Sequence, residues 1–475
     1  MEYKVQEYDN ARLPAEKRKD ITGECQKFIE NVTDSMNKIM DSYAKAKEKS
    51  TKALQAQVMI GNEIKGFSSF SEAWAVGYNS GKDFTVRACQ DISADTARGF
   101  NLSQLSEKFG FNSTKGFLVP EGREVTVDLN GHTIDCSSLR GITLFDVQKG
   151  AVFTLQNGQV NGAAAAVRYS SHDKAETSLY MENVKIDRCS GAAVYFDGSN
   201  PSDKLMMHNC EINGAQNGAV VMEWRLKYMI SDTTFSNNHA EYGAAVDALY
   251  AEDGSYVRNC RFTENTADKA AGALYCVSGV SRCVFENNKA GTDGGACGGW
   301  TEVSDSTFTG NTAGADGGAI CAGCHAKLMA DNTTIINNRA GGKGGGIYLG
   351  ALTVSNHRLT NVTVTGNSAG HGGGIYCSAG AFKAADTYLC GTVIIRDNSG
   401  DNAYLVSDSG KKALLYTRED FDRSGSAVYV SSSSRSDIAV VDLDSKSHQD
   451  AFRADYGRRI YRGTMYNGTL YLDDM

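Results

Sequence analysis

The sequence predicts an all-β fold, a right-handed parallel β-helix solenoid that is preceded by an N-terminal helical segment. One observation is a repeat in which an apolar residue stands three positions before an asparagine. The other is its spacing: Asn265, Asn288 and Asn311 are 23 residues apart, and the following steps are 27, 29 and 31, the length of one solenoid coil. The copies are Phe235–Asn238, Phe262–Asn265, Phe285–Asn288, Phe308–Asn311, Ile335–Asn338, Val364–Asn367 and Ile395–Asn398.

The residue types of the repeat fit stacked coils, in which equivalent side chains lie above one another. Phe or Ile would form an inward apolar column. Asparagine at a sharp bend tolerates left-handed backbone geometry and can bond neighbouring coils through its amide. The Gly-Gly pairs that begin at Gly294 and Gly317 allow a turn with positive φ. Because leucine is scarce and no helical stripe separates the short strands, the period favours a β-helix coil of about three strands over a leucine-rich repeat.

A different periodicity predicts that residues 1–66 are helical. Apolar residues follow one another in steps of three and four, as on one stripe of a helix, and charged residues fill the other faces. Two interpretations stay open: a helix folded onto its own domain, or a coiled-coil or assembly stalk through which the protein self-associates. The stripe consists of Ile21, Cys25, Phe28, Val32, Met36, Ile39 and Tyr43, and alanines continue it at Ala46, Ala53 and Ala56.

The remaining chain divides into three predicted parts. Residues 67–117, with a candidate strand at Phe84–Val86, form an N-terminal cap, since a terminal repeat must cover the stacked core. Residues 118–405 form the parallel β-helix, and residues 406–475 form a C-terminal β cap.

Composition excludes some partners. The chain has 475 residues and a formal net charge of −8, without a long Lys/Arg run, so we expect no nucleic-acid partner. The sequence contains no apolar stretch of ~18 residues, so no transmembrane segment is predicted. The N-terminus lacks the apolar run of a secretory signal. A cytoplasmic chain, another export route and a trimmed leader all stay open, and we expect an extracellular or cell-surface location.

The 13 cysteines lie mostly inside the repeats, where we expect small buried hydrophobes; disulfides and metal binding are the alternatives. Cys321, Cys324 and His325 match a haem-attachment pattern and half of a zinc site. A second cysteine pair is missing, and Cys321 occupies a strand position of the repeat, which favours plain packing. We therefore expect no metal and no cofactor, with Ca²⁺ as the one open alternative.

The repeats resemble those of chlamydial polymorphic outer-membrane proteins and of right-handed β-helix surface proteins of gut bacteria. Val125–Ile134 looks like the first coil of the second group, and Phe70–Trp74 is similar to its entry segment. Asp401–Leu405 and Phe452–Asp455 resemble its exit. The resemblance covers roughly residues 67–475 and implies a β-helix fold, while it says little about activity.

Polysaccharide-cleaving enzymes also use this architecture. Gly370–Gly372 matches the Gly-His-Gly of polygalacturonase-like hydrolases literally, but it occupies a repeat turn, and the expected Asp-Asp pair on the preceding coil is absent. Asp293 and Asp316 occupy one turn position in successive coils, ~5 Å apart if stacked. A Ca²⁺ ion between them is one interpretation. The other interpretation is that both are solvated turn carboxylates, with Lys343, next in the ladder, as their partner.

A polar-aromatic group is the best candidate for a glycan groove. It contains Glu223, Trp224, Arg225 and Asp247, and carboxylates beside an aromatic ring suit a sugar. The predicted ligand-binding aromatics are Trp224, Trp300, Tyr348 and Tyr376; ordinary half-buried aromatics are the alternative. If the protein is an enzyme, the catalytic candidates are Glu223, Asp247, Asp293 and Asp316.

Three functions follow from this pattern. The first is a non-catalytic secreted or surface protein, adhesin-like, which binds glycans or a host or bacterial surface partner along its stacked face. The second is a polysaccharide lyase or glycoside hydrolase, which rests on fold analogy. The third is a phage tailspike or an injected effector, and a trimer in solution would favour the tailspike.

Overall fold

The structure is a computed structural model. It describes residues 31–33, 35, 36, 38, 54–93, 111, 112, 116–138, 141–171, 174–299, 301–323, 326–351, 356–380, 384–407, 411, 413–418, 420–433, 439–442, 446–455, 459–462 and 469–473.

The chain winds into a parallel β-solenoid, as predicted, in which each coil passes through three strand columns in the order A, B, C. Each strand pairs in parallel with its equivalent in the next coil, so that Phe262 lies opposite Phe285, and Phe285 opposite Phe308. Column A comprises Phe84–Ala88, Glu124–Asp128, Val152–Asn161, Ser178–Asp187, Lys204–His208, Lys227–Ser231, Tyr256–Arg258, Val280–Ser281, Thr301–Ser304, Leu328–Asp331, His357–Thr360, Ala385–Cys390, Ala413–Thr417 and Ala439–Asp442.

Columns B and C complete each coil, and the long strands Val152–Asn161 and Ser178–Asp187 run from A into B. Column B further comprises Ile92–Ser93, Thr133–Asp135, Glu211–Asn213, Thr234–Ser236, Arg261–Thr263, Val284–Glu286, Thr307–Thr309, Thr334–Ile336, Thr363–Thr365, Ile394–Ile395 and Phe452–Ala454. Column C comprises Gly116–Val119, Thr143–Val147, Ala165–Ser171, Val194–Gly198, Val220–Met222, Val246–Ala248, Leu274–Tyr275, Cys297–Gly298, Ile320–Ala322, Ile347–Ala351, Ile375–Ala379 and Ala403–Val406; Ala427–Ser432 continues from B into C.

A short fourth column, D, lies between B and C. It carries the alanine that follows each repeat asparagine by two residues, and these alanines are buried where the coil is narrow. Its strands are His239–Ala240, Thr266–Ala267, Lys289–Ala290, Thr312–Ala313 and Arg339–Ala340.

An aromatic plug closes the N-terminal end of the core. Helix α1, Phe70–Asn79, begins after Ser69, whose hydroxyl accepts a hydrogen bond from the Glu72 backbone N–H. From α1 the fully buried Trp74 packs its ring 5.3 to 5.5 Å from the rings of three residues in columns A and C. These are Phe84, Phe117 and Phe145. That residues 67–117 form a cap stays a prediction, and this cluster supports it.

The prediction that the helical segment extends to residue 66 is wrong. Residues 31–33, 35, 36 and 38 are helical, but Ala56–Ile60 and Glu63–Phe67 form an antiparallel hairpin, and the first of these strands also pairs with Phe84–Ala88. Ala56 continues the apolar spacing of the predicted helical stripe, yet in the structure it is a fully buried strand residue. The local propensity was overridden by pairing with a sheet edge.

The parallel ladder continues past residue 405 to Phe452–Ala454. Antiparallel pairing replaces it at the C-terminus, where Thr469–Asp473 pairs with Ala439–Asp442 and with Arg459–Arg462. A 3₁₀ helix, Lys446–Ala451, precedes the last parallel strand. The division of the chain into separate domains stays a prediction.

Two inward columns stabilise the central coils. The first consists of four phenylalanine rings, all fully buried and almost parallel, with centroids 5.2, 4.7 and 4.4 Å apart. Ring burial of this kind contributes several kcal/mol, since truncating a buried Phe to Ala typically costs about 3 to 5 kcal/mol. The rings belong to Phe235, Phe262, Phe285 and Phe308, and Ile335, Val364 and Ile395 continue the column.

The second column is a ladder of buried asparagine amides, as the repeat predicted. Asn288 is representative: its Nδ2 donates to Asn311 Oδ1 at 2.9 Å and to the Phe262 carbonyl at 3.0 Å. Its Oδ1 accepts from both the backbone N–H and the Nδ2 of Asn265, at 3.1 and 3.0 Å. Each amide therefore joins three coils. The ladder runs through Asn238, Asn265, Asn288, Asn311, Asn338, Asn367, Asn398 and Asn402.

The left-handed backbone geometry lies one residue earlier than predicted. Glu264, Asn287 and Asn337 have φ values of 56°, 54° and 57°, whereas the ladder asparagines follow these residues in each coil. One residue therefore forms the bend, and the asparagine that follows it forms the amide ladder. At the Gly-Gly turn the expected positive φ is found, 71° at Gly317, and a Cβ there would lie 2.5 Å from the Ile320 carbonyl oxygen.

Cysteines pack mostly as small core residues in the described chain. All eleven that the structure describes are free, and nine of them are buried.

Within the described part of the chain, no helix is long and apolar enough to span a bilayer.

We expect that Asn288→Ala lowers the free energy of unfolding by about 3 to 5 kcal/mol. The change removes both hydrogen bonds to Asn265 and the donor to the Phe262 carbonyl, and it leaves these buried groups without partners. Chemical denaturation followed by circular dichroism measures the effect. The adjacent Asn287→Gly is the matched control, because glycine adopts the positive φ there and we expect a change below about 1 kcal/mol. Equal losses for the two variants would contradict the ladder's role.

Candidate functional site

The outward side chains of column C form one continuous row, because alternate residues of a strand point away from the core. This C row contains three of the predicted site residues, with four coil steps between Asp247 and Tyr348. In order along the solenoid it consists of Tyr195, Val221, Asp247, Tyr275, Gly298, Cys321, Tyr348, Tyr376 and Tyr404. The solenoid therefore holds the candidates on one rigid face.

A cluster of exposed apolar side chains lies where column C turns into column A of the next coil. Trp224, Leu249 and Tyr250 are 49%, 43% and 56% exposed, and Met36 is the one other large hydrophobic side chain in the described chain with comparable exposure. Two stacked loops carry them, since the Leu249 backbone N–H donates to the Met222 carbonyl at 3.2 Å. We call Glu223, Trp224, Asp247, Leu249 and Tyr250 the corner patch.

Exposed apolar side chains that lie together usually mark a binding surface, whereas single ones are ordinary. The polar-aromatic group predicted from the sequence lies here: Glu223 and Trp224 are adjacent, and Asp247 is on the next coil. Arg225 forms an ion pair, with Nε 3.0 Å from Glu252 Oε1.

The electrostatics of the patch are acidic. Burial, together with weaker repulsion from the nearby Glu223 carboxylate, raises the pKa of Asp247 to about 7. Burial is also the largest cause of the raised pKa of Tyr275, the next residue of the C row, to which Asp247 adds. Asp247 is therefore partly protonated near neutral pH, a state in which its carboxyl group can donate as well as accept hydrogen bonds.

The predicted aromatics Tyr348 and Tyr376 form a stack further along the C row, to which Tyr404 adds a third ring. The centroids are 5.5 and 5.7 Å apart. Tyr376 is only 6% exposed, and Lys343 Nζ lies 5.1 Å from its ring centroid. Both faces of the Tyr376 ring are therefore covered, so a sugar cannot lie flat on it. Here the arrangement fits the alternative of ordinary packed aromatics.

Asp293 and Asp316 stack in successive turns, as expected, but each carboxylate has a backbone partner. Asp293 Oδ1 accepts from the Asp316 backbone N–H at 3.0 Å, and Asp316 Oδ1 accepts from that of Lys343 at 2.8 Å. Burial raises the pKa of Asp316, and the Asp293 charge adds to this. The described residues contain no group of three His, Cys, Asp or Glu side chains that could hold a metal ion. The geometry thus favours turn carboxylates over a Ca²⁺ site.

The remaining motif residues occupy turns and strands. His371 follows Lys343 in the turn ladder, stacks 5.0 Å from the Tyr404 ring and lies 3.5 Å from Asp401 Oδ2. Cys321 pairs with Tyr348 in column C, as the repeat predicted. Trp300, Cys324 and His325 lie outside the described residues.

Leu249, Tyr250 and Tyr404 were not predicted as site residues. Tyr250 lies in an irregular coil where the repeat spacing gives no register, so nothing placed it beside Trp224. Tyr404 follows directly from the alignment of Tyr348 and Tyr376 one coil later, and that signal could have found it.

A shallow hollow of about 310 Å³ lies directly after the column B segments of three successive coils, lined by Ser137, Gly162, Arg188 and Ser190. These lining residues include neither an aromatic ring nor a carboxylate. The corner patch, in contrast, combines exposed rings with carboxyl groups.

We expect that Asp247→Asn stabilises the protein at pH 8 by about 1 to 3 kcal/mol relative to the wild type, allowing for solvent screening. The folded pKa of about 7 is above 3.8, the ordinary value for an aspartate side chain. The contribution of Asp247 is thus fully present below pH ~4 and is lost as the pH rises through 7. Denaturation at pH 4 and pH 8 measures the change. Glu223→Gln, which removes the like charge, is the companion variant; an equal gain of the Asn variant at both pH values would contradict the raised pKa.

Comparison with known proteins agrees with this fold. A family model described as "Right handed beta helix region" matches residues 123–290 and, overlapping these, residues 167–328. A second, the Chlamydia polymorphic membrane protein repeat, matches residues 332–350 and 361–378. No curated protein sequence matches the chain. The solved structure of a mutant of the periplasmic alginate epimerase AlgG is 9% identical and covers 86% of this chain and 95% of its own, with a TM-score of 0.22.

These matches confirm the resemblance to chlamydial repeats, while the resemblance to surface proteins of gut bacteria stays a prediction. The TM-score of the epimerase is too low to support an argument about function. The protein is thus a right-handed parallel β-helix repeat protein, with segments that match the repeat of chlamydial polymorphic membrane proteins.

Proposed function

We propose that the protein is a non-catalytic, adhesin-like β-helix protein that binds glycans at the corner patch. The observation that carries the proposal is the exposed cluster of Trp224, Leu249 and Tyr250 beside two carboxyl groups on one rigid face. Most large apolar side chains in the described chain are buried in the solenoid core. Exposure of three together has a free-energy cost in water that binding would remove.

The chemistry of the patch suits a sugar. A pyranose ring has an apolar face of C–H groups, which packs on an indole or phenol ring, and a rim of hydroxyls that donate hydrogen bonds to carboxylates. Trp224 and Tyr250 supply rings that are 49% and 56% exposed, and Glu223 and Asp247 supply acceptors. The loops rest on a rigid solenoid, so little conformational entropy is lost on binding.

An exported location, outside the cell or on its surface, belongs to the same proposal. The segments that match the chlamydial repeat support it, because the description of that repeat names a bacterial polymorphic membrane protein. A glycan-binding face is useful where polysaccharides are exposed.

A polysaccharide-cleaving enzyme is the second candidate, and one observation favours it. Glu223 and Asp247 are two neighbouring carboxyl groups, and Asp247, with its raised pKa of about 7, has the property of a general acid. Cleavage of a bound polysaccharide would appear as new reducing ends or as unsaturated products. Binding without either product supports the non-catalytic function.

We expect that Trp224→Ala weakens glycan binding at least tenfold, because the apolar sugar face loses its platform; tenfold corresponds to about 1.4 kcal/mol. A glycan-array screen of the wild type identifies the ligand, and isothermal titration calorimetry measures its affinity for each variant. Trp224→Phe keeps an aromatic face and should retain most of the affinity. Lys289→Ala, in column D, is a control variant outside the corner patch and should leave the affinity unchanged.

Since Trp224 is half exposed, neither tryptophan variant should lower the melting temperature by more than about 3 °C. Undiminished binding by the alanine variant would place the glycan elsewhere on the solenoid. The absence of any glycan ligand for the wild type would overturn the proposed function itself.

A further inference from the structure

We infer that the corner patch selects glycans that carry free amino groups, such as oligomers of unacetylated hexosamine, over acidic polysaccharides. The inference rests on the proposed function and adds the substrate class to it. It depends on the charges that surround the exposed rings.

Carboxylates dominate the polar rim of the patch. Glu223 and Asp247 lie within it, and Asp197 occupies the register position one coil before Glu223. The one guanidinium on these loops, that of Arg225, is held by Glu252 at 3.0 Å. A ligand on Trp224 and Tyr250 therefore meets an excess of negative charge.

An acidic sugar would be repelled from this position. A polyuronate brings one carboxylate per residue, and its recognition requires arginine or lysine side chains directed at the ligand. The loops that carry the patch offer only Arg225, which already has a partner. Neutral sugars would bind through their apolar face and hydroxyls, without any gain from the surrounding charge.

An amino sugar complements both properties of the patch. Its C–H face packs on an aromatic ring, while its ammonium group lies near the Glu223 and Asp247 carboxylates, whose mutual repulsion it relieves. An ammonium next to Trp224 also gains from the negative face of the indole ring. Apolar contact and charge complementarity thus select the same ligand, a polymer with both a sugar ring and a cation.

The test compares three tetrasaccharides of equal length by calorimetry at low salt: unacetylated glucosamine, N-acetylglucosamine and a uronic acid. We expect the glucosamine tetramer to bind at least about tenfold more tightly than the N-acetylated one, and the uronate not to bind. The double variant Glu223→Gln, Asp247→Asn should lose this preference, so that it binds the glucosamine and N-acetylglucosamine tetramers with equal affinity. Trp224→Ala should weaken binding of both.

Three results would overturn the inference. One is equal or tighter binding of the N-acetylated or uronate tetramer, which leaves glycan binding itself intact. Another is a preference that survives in the double variant with a native circular dichroism spectrum. The third is an oligolysine peptide that binds as tightly as the glucosamine tetramer, since the patch would then recognise charge alone. If no tetrasaccharide or array glycan binds at all, the proposed function fails together with the inference.

Discussion

The in-register stacking of one coil upon the next is the constraint on which the rest of this structure depends. It fixes which side chain lies above which, so a buried amide such as Asn288 always finds another amide on either side. A buried polar group that is fully paired stabilises and orients the core, whereas the same group with half its partners would weaken it. The phenylalanine column, the alanines of column D and the glycine turns all follow from the same register.

Stacking also explains how an exposed binding face can be rigid. The C row inherits its geometry from the core, because each outward residue is flanked by two inward ones. Where the repeat is regular, outward tyrosines stack on each other and cover their own faces, as at Tyr376. Where the repeat is irregular, around Trp224 and Tyr250, the rings remain open to solvent. Loss of regularity thus generates the candidate site.

This difference sets how much the sequence could predict. The fold could be predicted because the Asn288 position recurs every 23 to 31 residues and its chemistry has one explanation. The site could be predicted only in part. Glu223, Trp224 and Asp247 could be grouped from the sequence, but Tyr250 could not be placed without the register of an irregular coil. The hairpin that begins at Ala56 was missed for a related reason, since its strand pairing is set by a partner distant in sequence rather than by local pattern.

The far end of the asparagine ladder has a consequence for the length of the protein. Asn402 Nδ2 donates to Asp455 Oδ1 at 2.7 Å, and the Asn402 backbone N–H donates to Asp455 Oδ2 at 2.9 Å. A carboxylate accepts such bonds but has no N–H to pass onward, so it terminates the series chemically. Gene duplication could therefore insert a coil anywhere between Asn238 and Asn398 and find both its neighbours compatible. Beyond Asp455 a new coil would meet an acceptor where it needs a donor, so the asparagine ladder cannot be extended past this residue.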